Sequence, residues 1–137
     1  MIIACDKDII VNRPKDVASI LQKWLSAVDI VDRNKEHLIA IHLNVRNKII
    51  RVEVVSIGIV NATLVHPREV YKRAVRQTAS RIIVAHNHPS GDCTPSEEDT
   101  MITKQLEQAG DILGIALLDH IIFSRDGFYS MKDHDLF

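Results

Sequence analysis

The sequence predicts an α/β domain built on one mixed β-sheet with helices on its faces. Short runs rich in β-branched residues, EHLIAIHLN, KIIRVEVVSIG and RIIVA, have the composition of strands. Stretches with apolar residues spaced three or four apart alternate with these runs, as in amphipathic helices. At 137 residues the chain suits one domain, because that length can bury roughly two-thirds of the unfolded surface.

The first half of the chain predicts one helix, a hairpin and a second helix. Residues 1–12 mix apolar and charged side chains without a clear period, so they are either a loose arm or an added edge strand. A helix is expected from Pro14 to about Val28, with the proline in its first turn. Two strands joined by a short polar connection then form an antiparallel hairpin, and after an apolar piece over 59–65 a helix runs from Pro67 to about Thr78.

The second half predicts a strand, a helix and two strands. Arg81–Ala85 is short and apolar, as expected of a buried strand. The pattern Thr94-Pro95-Ser96-Glu97 predicts a capping box with proline at the first helical position, and this helix should end near Gly110. The last strands lie near 114–124 and 127–131, separated by a turn.

Composition and charge exclude several classes of protein. The formal net charge of -1 gives no global preference for nucleic acid or anionic membrane. The two cysteines lie far apart without a CxxC motif, so neither a disulfide framework nor a four-cysteine zinc site is indicated. The N-terminus lacks the basic character of a signal peptide, and no apolar run approaches the roughly 18 residues that span a bilayer. We therefore expect a soluble, unprocessed, cytoplasmic protein.

The stretch from Arg81 to Asp99 contains the residues best suited to chemistry. His86 and His88 follow a strand two residues apart, so both imidazoles point to the same side of the chain. Asp99 lies in the next helix, three residues after Ser96, and shares a face with it. Two histidines and a carboxylate leave a fourth position for water, as in catalytic zinc sites. Ser96 could donate to a developing oxyanion, while the base must be a distant carboxylate.

A bare HxH is most often two ordinary polar residues at a strand end. HxHPSGD followed by PSxxD is much harder to explain structurally, because metal-competent and turn-forming residues follow in a consistent order. Other HxH zinc enzymes do not match. Amidohydrolase barrels need about 250 residues, deaminases need HxE with PCxxC, and the protease HExxH helix is absent from the sequence.

The sequence resembles the JAMM motif of MPN-type metallopeptidases in two short runs, HNHP over 86–89 and SEED over 96–99. Ten residues separate His88 from Asp99, as in that motif. The flanks VHPREVYKRAV, LLDHIIFSRDGFYS, RPKDV and KEHLIAIHLN resemble the bacterial RadC family. The resemblance covers about Arg13 to Ser130, so residues 13–137 are expected to form one RadC-like JAMM/MPN domain after an arm of residues 1–12. It implies a curved mixed sheet with flanking helices, a cytidine-deaminase-like architecture.

The resemblance also implies roles for individual residues. His86, His88 and Asp99 match the zinc ligands, and Ser96 matches the serine near the metal-bound water. Glu36 matches the family's glutamate, which would act as general base and relay a proton to the leaving amine. The residues alone do not single out Glu36, because Glu53 also lies in a predicted strand. Full-length RadC proteins carry an N-terminal region resembling helix-hairpin-helix modules, which is absent from this sequence. The family's DNA-repair label is therefore not carried over.

Three groups of residues keep two interpretations each. His120 either binds the metal or hydrogen-bonds a metal ligand, or, as we favour, it is a strand histidine with a structural hydrogen bond. Cys93 is either a metal ligand or gate, or an oxidation-sensitive thiol in the same loop. Arg68, Lys72 and Arg76 either contact phosphates or form a solvated helix face with a Glu69–Arg73 pair, which we favour.

The leading hypothesis is a zinc-dependent hydrolase of JAMM type that cleaves an amide or isopeptide bond in a peptide or protein. The second is a DNA-associated protein or nuclease of the RadC family, motivated by the family label and the basic stripe. The third is a non-catalytic MPN-like scaffold, against which the intact ligand set argues. An unpaired N-terminal arm would also permit strand exchange in a homodimer, and no membrane partner is expected.

Overall fold

The fold is the mixed α/β architecture that the sequence predicts. A computed structural model of the chain describes residues 1–5, 8–61 and 63–137. In these residues the elements follow in the order α1 (Pro14–Ala27), α2 (Ile30–Arg33), β1 (His37–Leu43), β2 (Ile49–Ile57), α3 (Pro67–Arg76), β3 (Arg81–Asn87), α4 (Glu97–Leu113), β4 (Ala116–Phe123) and β5 (Phe128–Ser130).

The five strands form one sheet in the order β2-β1-β3-β4-β5. The pairs β1–β2, β1–β3 and β4–β5 are antiparallel, whereas β3 and β4 are parallel and α4 forms the connection between them. The predicted β1–β2 hairpin is therefore confirmed. Every residue of β1 is buried, because β1 lies inside the sheet and both of its faces are covered.

Two apolar clusters cover the two faces of the sheet. Helix α1 packs on one face, where Leu21 meets Ile39, Ile83 and Phe123. Helices α3 and α4 pack on the other face, where Tyr71 and Leu106 meet side chains such as Leu38 and Val84. The sheet thus lies between two helical layers. Its central strands β1 and β3 run side by side, and the candidate site lies where β1 begins and β3 ends.

Helix α4 begins two residues later than the predicted capping box implies. Its N-cap is Ser96, whose Oγ accepts a hydrogen bond from the Asp99 backbone N–H at 3.1 Å. Asp99 Oδ2 in turn accepts the Ser96 backbone N–H at 2.8 Å. The prediction of a Thr94–Glu97 box with Pro95 inside the helix is wrong, since the reciprocal bonds of a capping box form at Ser96 and Asp99.

Helix α4 also ends later than predicted, at Leu113. Gly110 is not a terminator but lies where α4 meets α3, and a Cβ atom there would collide with the Tyr71 hydroxyl and the Ile115 carbonyl oxygen. The left-handed residue that closes the helix is Gly114, at φ +72°. Gly110 therefore allows a close approach within the helical layer rather than a chain reversal.

The N-terminal arm lies along the outer edge of β2. Ile2 pairs with Glu53 and Ile10 with Lys48 as isolated bridges, and the Ile3 N–H donates to the Val52 carbonyl at 2.8 Å. The arm is therefore an added edge segment of its own sheet and not a loose tail, although residues 6 and 7 lie outside the described residues. Strand exchange in a homodimer stays a prediction. Among the helices described, none has the length and apolar character needed to cross a bilayer.

Candidate metal centre

Two imidazoles converge at the carboxyl end of β3. His86 is the penultimate residue of β3 and is fully buried. His88 is the first residue after the strand and is partly buried. Their ring centroids are 4.8 Å apart, and their Nε2 atoms are separated by 2.9 Å. Two nitrogen lone pairs at this distance repel each other unless a proton or a metal ion lies between them. The strand end therefore provides a place for a cation.

The first turn of α4 brings a carboxylate to the same point. Asp99 is 2% exposed, and its Oδ1 lies 3.0 Å from His86 Nε2 while its Oδ2 lies 3.2 Å from His88 Nε2. His86, His88 and Asp99 are the group of metal-competent side chains found among the described residues. The capping box of α4 orients this carboxylate, because the Ser96 N–H holds Asp99 Oδ2.

The donor atoms fit a zinc ion. Ligand nitrogens and oxygens at about 2.0–2.1 Å from a tetrahedral ion lie about 3.3 Å from one another. The contacts that join His86 Nε2, His88 Nε2 and the Asp99 carboxylate measure 2.9, 3.0 and 3.2 Å, close to that separation. Two neutral imidazoles and one carboxylate also leave a fourth coordination position for water. The residues present therefore suit an ion that keeps one coordination position open.

A hydrogen bond to the loop after β3 sets the tautomer of His88. Its Nδ1 lies 2.8 Å from the Asp92 carbonyl oxygen, which can only accept. Nδ1 therefore carries the hydrogen, and Nε2 keeps the lone pair that a metal needs. Asp92 also bends the loop, since its Oδ1 accepts the Thr94 N–H at 2.9 Å. The Pro89–Pro95 loop thus connects β3 to α4 and orients one of the histidines.

A buried chain of hydrogen bonds supports His86. Its Nδ1 lies 2.8 Å from His120 Nε2, and His120 Nδ1 lies 2.6 Å from Thr103 Oγ1. Thr103 Oγ1 is also 2.7 Å from the Asp99 carbonyl oxygen. When His86 Nε2 binds a metal, its hydrogen must be on Nδ1, so His120 accepts through Nε2 and donates through Nδ1 to Thr103, whose hydroxyl donates to Asp99.

His120 is therefore both structural and adjacent to the metal group, which joins the two interpretations that the sequence left open. Burial, together with a smaller effect of the neighbouring His86, lowers the pKa of His120 to about 3. The His120 ring therefore stays uncharged at neutral and mildly acidic pH. A neutral His120 can accept from His86, which an imidazolium could not do.

The charges of the metal group shift the pKa values of its members. Burial alone would raise the pKa of Asp99, but hydrogen bonds from His86 and His88 outweigh it and hold that pKa far below its usual value. The hydrogen bond to Asp99 raises the pKa of His88 despite partial burial. Since a metal can bind His88 Nε2 only after its proton leaves, metal affinity must fall as the pH falls through that raised pKa.

Glu36 lies beside the metal group. It precedes β1, and the register that pairs Leu38 with His86 places Glu36 opposite His88 when continued by two residues. Its Oε2 accepts the Val60 N–H at 2.7 Å, its carbonyl accepts the Gly58 N–H at 2.8 Å, and its charge helps to raise the pKa of His88.

Glu53, the alternative carboxylate, is engaged elsewhere. It lies on β2 opposite Ala40 and pairs with Arg51 and Arg73, with a distance of 2.9 Å between Arg73 Nε and Oε2. The two glutamates, which strand composition could not distinguish, therefore differ in their partners. Glu53 pairs with two arginines, whereas Glu36 accepts a backbone N–H beside the metal group.

Sequence reasoning missed Asn87, the residue between the two histidines. Its side chain is buried, and its Oδ1 accepts the His37 backbone N–H at 2.7 Å while its Nδ2 donates to the Lys35 carbonyl at 2.9 Å. Asn87 therefore holds the backbone on both sides of Glu36. The sequence contains one indication of this role: Asn87 is an amide at the end of an apolar strand. A buried polar side chain in such a position requires hydrogen-bond partners.

Ser96 and Cys93 lie around the metal group without joining it. Ser96 is exposed, and because its Oγ accepts from Asp99, its hydroxyl hydrogen is available to a ligand. Cys93 is half-buried, and its Sγ lies 3.9 Å from the Gly91 carbonyl oxygen. In the part of the chain that the structure describes, the thiol is not one of the clustered metal-competent groups.

The basic stripe lies on α3. Arg68, Lys72 and Arg76 are all exposed, as their helical spacing predicts. The predicted Glu69–Arg73 ion pair is wrong, because Arg73 turns toward Glu53 on β2 and Glu69 instead lies 3.9 Å from Arg68. The long reach of arginine favours the less exposed carboxylate on β2 over its helical neighbour.

Fold and site together define an α/β domain with a candidate His-His-Asp metal centre at the carboxyl end of the central strand β3. The chain belongs to the family described as the RadC-like JAB domain, whose family model matches residues 11–136. This agrees with the resemblance seen in the motifs and flanking residues.

Curated relatives support the same assignment. The chain is 49% identical over 107 residues to a UPF0758 protein of Chlorobaculum parvum, which covers 78% of this chain and 48% of that protein. It is 44% identical over 128 residues to a UPF0758 protein of Desulforamulus reducens, covering 93% of this chain and 54% of that protein. The chain thus spans about half the length of these relatives.

The hydrogen-bond chain to His86 can be tested at Thr103. Replacing Thr103 by valine keeps the volume but removes the acceptor for His120 Nδ1, so we expect zinc affinity to fall about tenfold to hundredfold. Thr103→Ser, which keeps the hydroxyl, is the matched control and should stay close to the unaltered protein. Competitive titration against a chelator measures the affinity, and equal affinities in both variants would contradict the support given by this chain.

Proposed function

We propose that the domain is a zinc-dependent hydrolase that cleaves an amide or isopeptide bond in a peptide or protein. The observation that carries the proposal is the position of Glu36, a half-buried carboxylate beside a preformed group of two imidazoles and one aspartate. A bare metal site would suit many roles, but hydrolysis also needs a proton acceptor next to the water position. Membership of the JAB family supports the same reading.

The residues divide the chemistry among them. His86, His88 and Asp99 would hold zinc, which when bound supplies a Lewis acid that makes water acidic near neutral pH. Glu36 takes a proton from the attacking water and later delivers it to the leaving amine. The Val60 N–H donates to Glu36 Oε2 and so helps to hold this carboxylate in place.

Ser96 completes the arrangement. Its hydroxyl accepts from the Asp99 N–H, and its own hydrogen can therefore be donated to the oxygen that gains negative charge as the carbonyl is attacked. Because Ser96 is exposed, a substrate could reach this donor, which lies next to the capping box that orients Asp99. One helix start would thus supply both a metal ligand and an oxyanion donor.

The proposal is tested by loading the purified protein with zinc and assaying a library of quenched fluorescent peptides and isopeptide-linked substrates. We expect about one zinc per chain and cleavage that Glu36→Gln reduces at least about a hundredfold, as for the loss of a general base, with zinc retained. Glu97→Gln, an exposed glutamate in the first turn of α4, is the matched control. Absence of bound zinc, or unchanged cleavage in both Glu36→Gln and His88→Ala, would refute the proposal.

Asn87 should act as a positioning residue for Glu36. Asn87→Leu removes both hydrogen bonds to residues 35 and 37, so Glu36 loses its placement while His86 and His88 keep their own partners. We expect kcat to fall about tenfold or more, since small misplacements of a catalytic group are costly, with unchanged zinc affinity. A loss of zinc in step with activity would instead show that Asn87 supports the ligands.

A nucleic-acid role is the second candidate, and the observation that favours it is the exposed stripe on α3. If Arg68, Lys72 and Arg76 bind phosphates, reversing all three charges should abolish DNA binding at low salt, and raising the salt should weaken binding by the unaltered protein. Reversal of Lys15 and Lys23 on α1 is a control. Fluorescence anisotropy with labelled duplex and single-stranded DNA gives the affinities. If the triple variant still binds DNA, the stripe is not the DNA-binding surface.

A further inference from the structure

A cleft opens beside His88, which forms part of its lining. Its volume is about 560 Å³, within the range of small-ligand and peptide pockets. One wall is formed by His88 and Pro89, the second by α1 and α2, and the third by the turn of residues 124–127 between β4 and β5. A substrate held at the metal group could therefore extend directly into this cleft.

Two arginines from different walls line the cleft. Arg33 comes from the end of α2, and Arg125 from the β4–β5 turn, while Asp126 beside Arg125 is the one carboxylate of the described lining. Neither arginine forms an ion pair with an acidic side chain among the described residues. The lining thus has an excess of positive charge in a chain whose formal net charge is -1.

Both arginines lie on segments that are held in place. Arg33 Nε donates to the Val28 carbonyl at 2.7 Å, which anchors its guanidinium and leaves the two terminal NH2 groups for a ligand. Gln22 on α1 donates to the carbonyls of Ser124 and Gly127, each at 3.2 Å, and so ties the turn that carries Arg125 to the helix. Pre-organised donors lose less entropy when they bind a carboxylate.

Apolar side chains form another part of the lining, which also includes the polar residues Asn34, Asn87 and Ser124. Leu25 and Pro89 contribute to the walls, and Ile30 is 71% exposed although it belongs to a short helix at the cleft. Val31, the next residue, is 72% exposed. Exposed aliphatic side chains beside a cationic cleft are typical of a surface that a ligand covers. The cleft therefore combines charge and apolar contact in one place.

We propose that this cleft binds the part of a peptide substrate next to the scissile bond, and that this part carries a carboxylate and an aliphatic side chain. The carboxylate pairs with Arg33 and Arg125, and the aliphatic side chain packs on Leu25, Ile30 and Pro89. The proposal rests on the proposed hydrolase function for the position of the scissile bond. A peptide is favoured over a nucleic acid because Asp126 and the apolar walls oppose a chain of phosphates.

Binding can be measured without cleavage in zinc-loaded Glu36→Gln protein. The probes are fluorescent hexapeptides in which leucine is followed by glutamate, glutamine or lysine, each as a C-terminal acid and as an amide. We expect the glutamate peptides to bind about tenfold more tightly than the glutamine peptides, as for one charge-assisted contact. If the recognised carboxylate is the chain terminus, the preference will follow the free acid instead.

Variants of the lining test the assignment of the residues. Arg33→Gln and Arg125→Gln should each remove most of the preference for the carboxylate, and Asp126→Asn should strengthen binding because a repulsive charge is lost. Arg46→Gln, an exposed arginine in the β1–β2 turn at the opposite end of the sheet, is the matched control and should bind like the parent. Higher salt should weaken the acidic peptides most.

The outcomes separate this inference from the proposed function. If binding depends on the carboxylate and the arginine variants abolish it, the cleft assignment is supported. If the zinc-loaded parent then cleaves nothing, that absence of cleavage counts only against the proposed hydrolase function. Equal binding of acidic, neutral and basic peptides overturns the inference, even if cleavage is observed. Binding of a labelled single-stranded oligonucleotide through the same two arginines, with no binding of peptide, would overturn it in favour of phosphate recognition.

Discussion

The antiparallel pairing of β1 with β3 is the constraint on which the rest of the site depends. Its register places Leu38 beside His86, and continuing it brings Glu36 opposite His88, although the two residues are distant in sequence. Because side chains alternate along a strand, a slip of one residue would turn Glu36 to the opposite face of the sheet. Asn87 holds this register at the very end of the pairing through the backbone of residues 35 and 37.

The site also depends on polar groups that are buried and fully partnered. Thr103 and His120 are completely buried beneath His86, where an unpaired hydroxyl or imidazole would destabilise the fold. The chain from Asp99 through Thr103 and His120 to His86 satisfies these groups and links both metal-ligand elements to β4. Asp119, the neighbour of His120, is held in turn by the Ser130 hydroxyl at 2.6 Å. The ligands thus rest on a supporting layer that lies on three different elements.

Local sequence was sufficient for the part of the site that depends on spacing within one element. The alternation of a strand brings His86 and His88 to the same side, and the turn of a helix places Asp99 near Ser96, so these were predicted correctly. Long-range pairing was different. Nothing in the spacing relates Asn87 to residues 35 and 37, or Thr103 to His120, because those contacts exist only after the sheet has assembled. Glu36 could be separated from Glu53 by family resemblance, but not by strand composition.

Asp99 belongs both to the N-terminal cap of α4 and to the candidate metal group. Its carboxylate accepts the Ser96 N–H that closes the first turn of α4, and the same group faces both histidines. Local unfolding of that turn would therefore carry a ligand away from the metal group, so that fraying of the helix and release of an ion become one event. Amide hydrogen exchange at the start of α4 would then report whether the candidate metal centre holds an ion.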